Sequence, residues 1–200
     1  MLKRAFDISV SLLLLFLLLP LLLVLSFLIL IFDGNPILFI QSRAGFHGVE
    51  FKLFKFRTMQ NNHSSNSSRN KITRLGSILR KTSLDELPSL FNVIKGDMSL
   101  VGPRPLLMDY LPYYSKDELK RFDVKPGLTG LAQINGRNLI SWDEKIKYDL
   151  LYVSSNNFFL DIKIMCMTLF KVFKSEGIYD NDGKIYIRFD DWVKKKRKNL

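Results

Sequence analysis

The sequence predicts an α+β, mainly helical protein: an N-terminal membrane helix, a small β-hairpin, and amphipathic interfacial helices around one compact domain. Three observations predict it. The run from Ile8 to Phe32 carries no charged side chain. Residues 37–57 hold two strand-like runs on either side of a glycine-bounded turn. Beyond them, apolar residues mostly recur at helical rather than alternating spacing.

The opening run is rich in leucine, and about 25 helical residues at ~1.5 Å each reach roughly 37 Å, longer than a ~30 Å hydrocarbon core. It is too long for the apolar part of a signal peptide and lacks a small-residue cleavage site, so it is expected to remain. Pro20, at its centre, removes a helix hydrogen bond and is expected to kink it. Lys3 and Arg4 precede the run, and most of the net charge of +11 follows it. Positive charge on both flanks favours the cytoplasmic side at both ends. A re-entrant helix, bent at Pro20, satisfies that preference; an ordinary kinked single pass is the alternative. Asp7, three residues after Arg4, reads as a helical ion-pair partner.

Asp33-Gly34-Asn35-Pro36 is a turn cluster. Ile37–Arg43 and Val49–Arg57 read as strands around a turn at Gly45–Gly48; the second alternates with one slip at Phe54, Phe51, Leu53 and Phe56 interleaving with Lys52, Lys55 and Arg57. Residues 60–71 are polar throughout and read as a surface loop, whose glycosylation-type triplets at Asn62 and Asn66 are chance matches on a cytoplasmic face. Ile72–Lys81 reads as a cationic helix, and Asp85–Lys95 as a short apolar helix closed by Gly96. Gly102-Pro103-Arg104-Pro105 is a rigid loop, and Lys125–Gly130 and Asn135–Asn138 are further turns. Trp142–Val153 and Phe158–Lys174 read as amphipathic helices, with Cys166 in the apolar stripe of the second and expected in the core. The domain reading is therefore a membrane helix over 1–33, a main domain over 34–180, and a basic tail over 181–200. The terminal Lys/Arg run is either solvated or in contact with anionic lipid.

Composition narrows the chemistry. One cysteine excludes an internal disulfide framework and fits a reducing compartment. His47 and His63 give no zinc spacing with it. There is no phosphate loop ending in Lys-Ser/Thr, no dinucleotide fingerprint and no serine nucleophile elbow. No nucleic-acid motif accompanies the basic charge. What remains is Ser83-Leu84-Asp85-Glu86, two adjacent acids within a cationic chain. Such a pair suits reaction at phosphorus, one acid attacking and the other helping to hold a divalent metal, with arginines on the anionic substrate. The same tetrapeptide also reads as a capping box, Ser83 at N-cap and Glu86 at N3. Arg104, between two prolines, starts from a stiff backbone suited to bidentate phosphate binding.

Taken together, Lys55-Phe56-Arg57-Thr58-Met59, Ser83-Leu84-Asp85-Glu86-Leu87-Pro88, Leu90-Phe91-Asn92-Val93, Lys95-Gly96-Asp97-Met98-Ser99, Gly102-Pro103-Arg104-Pro105, Pro126-Gly127-Leu128-Thr129-Gly130 and Asn135-Gly136-Arg137-Asn138 resemble the bacterial sugar transferases, and more narrowly the small monotopic phosphoglycosyl transferases of the PglC type. The resemblance runs from about Lys3 to Lys174. It implies a catalytic domain that moves a sugar-1-phosphate from a UDP-sugar to polyprenol (undecaprenyl) phosphate with Mg²⁺, releasing UMP, as the first membrane step of glycan assembly on the cytoplasmic face of the inner membrane. Small relatives often take N-acetylated sugars such as UDP-diacetylbacillosamine. By resemblance, Asp85 attacks the sugar-bearing phosphorus to give a phosphoryl-aspartate. Glu86 assists through the metal or by orienting Asp85. Arg57, Arg80, Arg104 and Arg137 fall in matching motifs as candidates for phosphate or nucleotide binding. The family usually breaks its membrane helix at Ser-Pro, whereas this chain has Leu19-Pro20. A non-catalytic, membrane-anchored basic binding module is the alternative function.

Overall fold

The computed structural model describes residues 2–60, 72–136, 139–173 and 188–198. The chain divides into two compact units. The first comprises Met1–Gln41 and Leu53–Ile94, and the second Ser42–Lys52 and Lys95–Leu200.

The first unit is built on α1 (Leu2–Phe32), which contains Pro20 and is long and apolar enough to cross a membrane. Its C-terminal half buries Leu22, Leu25 and Ile29 against Phe56 and Leu79, while Phe16, Leu17, Leu23, Phe27 and Phe32 remain exposed. An apolar helix with only one stripe covered by protein leaves the rest for lipid. Both of its ends are tied down. Arg4 donates to the carbonyls of Val93 and Ile94, the last backbone acceptors of a short helix. At the other end, Arg57 donates to the carbonyls of Asp33, Gly34 and Asn35, and Thr73 Oγ1 donates to Asp33 Oδ2 at 2.9 Å.

The hairpin forms as β1 (Leu38–Ala44) and β2 (Glu50–Phe56). Period two holds over Glu50–Leu53, where Phe51 and Leu53 are buried between exposed Glu50 and Lys52; it slips at half-buried Phe54 and Lys55 before buried Phe56. In the first unit, β2 leads to α2 (Arg74–Thr82), capped by Thr73, whose side chain accepts from Gly76 N. A Cβ on Gly76 would lie 2.2 Å from the Thr58 carbonyl oxygen, so only glycine lets α2 sit this close. A 3₁₀ segment over Leu84–Ser89 and then α3 (Leu90–Lys95) replace the single helix expected over 85–95. Pro88 cannot donate its nitrogen to a helical hydrogen bond, which suits a change of helix type there. Gly96 ends α3 with φ 102°, as expected of a C-cap.

The second unit holds a two-stranded parallel sheet that the sequence pattern does not reveal: β3 (Ser99–Val101) pairs with β4 (Gly127–Thr129), Ser99 opposite Gly127 and Val101 opposite Thr129. The glycines here serve close approach. A Cβ on Gly127 would fall 2.1 Å from Gly102 N, and one on Gly130 2.1 Å from Gly102 O. After α4 (Leu131–Ile134) come α5 (Trp142–Ser155) and α6 (Phe158–Phe173). A capping box does exist in this unit, at Ser141 and Glu144.

The stripe expected to bury Cys166 is turned outward. The covered face of α6 carries Asp161, Ile164 and Thr168, spaced three and four apart; Cys166 is exposed, as are Phe159 at 83%, Leu169 at 60% and Phe170 at 71%. Two residues from Ile164 is ~200° around the helix, so Cys166 lies opposite the packed face. Two polar contacts, Tyr152–Asp161 and Thr129–Thr168, anchor that face. Tyr152 Oη lies 2.7 Å from Asp161 Oδ1 and 3.0 Å from the Val101 carbonyl, and Thr168 Oγ1 lies 2.7 Å from Thr129 Oγ1. The inward face therefore carries hydrogen-bonded polar groups beside fully buried Ile164.

The last described element is α7 (Phe189–Lys198). Fully buried Phe189 stacks on Tyr114 at 4.6 Å and touches the rings of Tyr110, Trp142 and Trp192. Ile185 and Ile187, which alternate with their neighbours in the sequence, lie outside the described residues.

Candidate active site

Asp85 and Glu86 open the 3₁₀ segment, both half-buried. The capping box expected there does not form. An N-cap needs extended backbone, whereas Ser83 is left-handed, φ 58° and ψ 16°, because it ends α2: its N–H donates to Arg80 O and Leu79 O. The Ser83 side chain makes no cap bond, and Glu86 turns instead to Lys55 on β2, Oε1 to Nζ 2.6 Å, both side chains about one-fifth exposed. Glu86 is thus held by a cation, as a carboxylate that orients a neighbour or a metal would be. Lys55 opens the Lys55–Met59 motif but is not among the residues the sequence marks for the site. Its signal was a cation on the polar face of an alternating strand that leads directly into Arg57.

The candidate arginines do different things. Arg80, on α2, donates through Nε to Thr58 Oγ1 at 2.8 Å and is half-buried. It shares the first unit with Asp85, Glu86 and Lys55. Arg57 belongs to that unit as well, but it is 4% exposed and its guanidinium is taken up by the carbonyls of residues 33–35. Its geometry is that of a clamp on the turn after α1, not of an open phosphate ligand. Arg104 belongs to the second unit, exposed on the loop after β3. Arg121 holds that loop from beneath, donating through Nη2 to Arg104 O at 2.9 Å. Arg137 lies outside the described residues.

Arg121 is itself buried and paired with buried Asp149: Nη2 lies 2.7 Å and Nε 3.1 Å from Asp149 Oδ2. Burial pushes the Asp149 carboxyl up, with Arg121 opposing it. One turn earlier on α5, Lys145 is pulled down to about 8, first by burial and next by the charge of Arg104.

Among the described residues no three His, Cys, Asp or Glu side chains cluster as a metal cage. Mg²⁺ does not require one; it binds through one or two carboxylates plus water and substrate phosphate. The adjacent hard oxygen donors of Asp85 and Glu86 fit it.

Fold and site together define the class: an enzyme whose paired acids are carried on a unit built around a membrane-length apolar helix. Residues 1–175 match the family model for bacterial sugar transferases, and the chain belongs to that family. It is 47% identical over 192 residues to a sugar transferase of Bacillus subtilis, EpsL, covering 94% of this chain and 95% of that protein. It is 40% identical to a UDP-glucose:undecaprenyl-phosphate glucose-1-phosphate transferase of Klebsiella pneumoniae, and 39% identical to an undecaprenyl-phosphate galactose phosphotransferase of Salmonella typhimurium. Those matches cover 88% and 89% of this chain but only 41% and 42% of the two longer proteins.

Proposed function

We propose that the protein transfers a sugar-1-phosphate from a UDP-sugar to polyprenol (undecaprenyl) phosphate, releasing UMP, on the cytoplasmic face of a bacterial inner membrane. The observation that carries this is the Asp85–Glu86 pair, freed from capping and held by Lys55, on the same compact unit as a membrane-length helix. The names of the Klebsiella and Salmonella relatives, glucose and galactose phosphotransferases acting on undecaprenyl phosphate, support the acceptor and make a UDP-hexose donor the first choice.

In the reaction an Asp85 carboxylate oxygen attacks the sugar-bearing phosphorus. An O–P bond forms, the bond from that phosphorus to the bridging oxygen breaks, and UMP leaves with the electron pair. A phosphate oxygen of the lipid then attacks the same phosphorus, and Asp85 departs as a carboxylate. Two displacements on one acid let a soluble donor and a membrane-bound acceptor react in turn. Lys55 holds the Glu86 side chain, next to Asp85 in the chain, through a charge-assisted hydrogen bond. When bound to Asp85 and Glu86, Mg²⁺ supplies charge neutralisation for the diphosphate.

The tethering of α1 supports a re-entrant seat. A straight helix of 31 residues would separate its ends by ~46 Å. Here Arg4 near one end and Asp33 at the other are both hydrogen-bonded within one small unit. Ends held by one body favour one side of the bilayer, in keeping with the positive flanks.

The test uses purified protein in nanodiscs with Mg²⁺, undecaprenyl phosphate and a panel of UDP-glucose, UDP-galactose and UDP-diacetylbacillosamine. UMP release from at least one donor is expected, with a sugar-phosphate adduct on Asp85 by mass spectrometry. Asp85→Asn should abolish both. Turnover in Asp85→Asn, or no release from any nucleotide sugar, rejects the reading.

A further inference from the structure

Thr58 has no part in the chemistry described so far, yet the fold fixes its place tightly. It follows β2 almost directly and is 6% exposed. Its carbonyl accepts from the N–H of Thr73, the N-cap of α2, at 3.1 Å. Gly76, in the first turn of α2, lies against the same carbonyl with no room for a Cβ. The backbone bond and the close approach together seat α2 on residue 58. Arg80, four residues after Gly76, lies on the same face of α2. There the Thr58 hydroxyl accepts its Nε–H at 2.8 Å. Among the described residues this is the one polar contact of the Arg80 side chain, so the donors on Nη1 and Nη2 stay available.

We propose that Thr58 is a positioning residue for a substrate phosphate: it holds the Arg80 guanidinium by Nε so that Nη1 and Nη2 meet the phosphate end-on, as a bidentate fork. This rests on the transferase reading above, under which Arg80 is a candidate phosphate ligand. A guanidinium anchored at Nε has lost its side-on edge and its freedom to turn. What it still offers is one edge in one orientation, matched to two phosphate oxygens. The side chain is ordered before the substrate arrives, so less entropy is lost on binding.

The location agrees. Arg80 lies in the last turn of α2, and its carbonyl accepts the Ser83 N–H at 3.2 Å, where the chain turns into the 3₁₀ segment that carries Asp85 and Glu86. That segment packs back on α2. Within residues 55–58 three side chains reach three different parts of the first unit. Lys55 holds Glu86, Arg57 holds the turn after α1, and Thr58 holds Arg80. One short stretch of chain thereby supports both an acid and a cation of the site.

The experiment is a double-mutant cycle read by binding. The full-length protein in nanodiscs, in buffer with Mg²⁺, is titrated with UDP and separately with a short-chain polyprenyl phosphate. The variants are Thr58→Val, Thr58→Ser, Arg80→Met and the Thr58→Val/Arg80→Met pair. Valine keeps the shape of threonine without the oxygen, serine keeps the oxygen, and methionine keeps an unbranched stem without a donor. Thr58→Val should weaken at least one probe about five-fold or more, and Thr58→Ser should stay within about two-fold of wild type. Arg80→Met should weaken the same probe at least as much, and adding Thr58→Val to it should change affinity by less than about two-fold. Weakening of UDP assigns the donor phosphate, and weakening of the lipid phosphate assigns the acceptor. Weakening of both assigns a position that the two phosphates occupy in turn. Unchanged affinities in Thr58→Val overturn the proposal, as does a wild type that binds neither probe. A Thr58→Val loss that persists in full on the Arg80→Met background also overturns it and leaves Thr58 a packing residue. Binding needs no turnover. A wild type that obeys the cycle yet releases no UMP from any nucleotide sugar would reject the transferase reading and keep the phosphate site.

Discussion

Glu86 sits three residues after a serine and just before an apolar run, and the local pattern predicts a capped helix there. The backbone decides otherwise. Ser83 at φ 58° is committed to ending α2, and a left-handed non-glycine residue costs roughly 1–2 kcal/mol. Ser83→Gly is therefore expected to raise stability by about 1 kcal/mol, read from thermal melts of the protein in nanodiscs. Glu86, released from capping, is held by Lys55. Replacing Lys55 with Met should lower turnover about ten-fold or more, equivalent to ~1.4 kcal/mol in the barrier, with a much smaller change in melting temperature. Equal loss in both would make Lys55 a structural residue only. The Arg121–Asp149 pair behaves in the opposite way: both partners are buried, and Asp149→Asn leaves a guanidinium without its counter-charge, so ~3–5 kcal/mol of stability should be lost. Asp85 and Glu86 were legible in the sequence because adjacent acids in a basic chain are conspicuous. The clamp role of Arg57 and the pairing of Lys55 were not, because they depend on partners 22 and 31 residues away, Asn35 and Glu86 respectively.

At the scale of elements, legibility followed locality. The hairpin and the helices α2, α5 and α6 announce themselves through period and length within a single window. The β3–β4 pair does not: each strand has three residues, and the partners are parallel and more than twenty residues apart. Its trace in the sequence is glycine, at Gly102, Gly127 and Gly130, where backbones meet without room for a Cβ. Gly127→Ala is expected to disrupt this crossing and destabilise the second unit by several kcal/mol, in the range of strained core substitutions. Retention of wild-type melting would show that the strands can part at little cost. The orientation of α6 was misjudged for a related reason: its apolar stripe is genuine, but the inward face carries Asp161, Ile164 and Thr168. The exposed rings of Phe159 and Phe170 then suit a lipid interface better than water. α7 adds an aromatic anchor in Phe189. Truncating it to Ala should cost ~3–5 kcal/mol by large-to-small core logic and expose the helix to limited proteolysis.

For the whole molecule, charge and apolar surface point to one environment. A net charge of +11, an apolar helix covered on one stripe only, and an amphipathic α6 with outward phenylalanines all favour an anionic membrane surface. Cysteines placed at positions 2 and 33 should both be shielded from a membrane-impermeant thiol reagent added to intact cells, in a background lacking Cys166. Labelling at one end alone would establish a single pass.

The grip of Arg4 on Val93 and Ile94 has a temporal consequence. A ribosome makes Arg4 almost at once but needs some ninety further residues before its acceptors exist, and more again before they clear the exit tunnel. Until then the Arg4 end of the hydrophobic helix is loose, even after Arg57 and Thr73 have been made to hold the other end. Nascent chains halted short of residue 94 should accordingly be the ones that insert the wrong way round or are captured by targeting factors, and chains halted well beyond it should settle correctly.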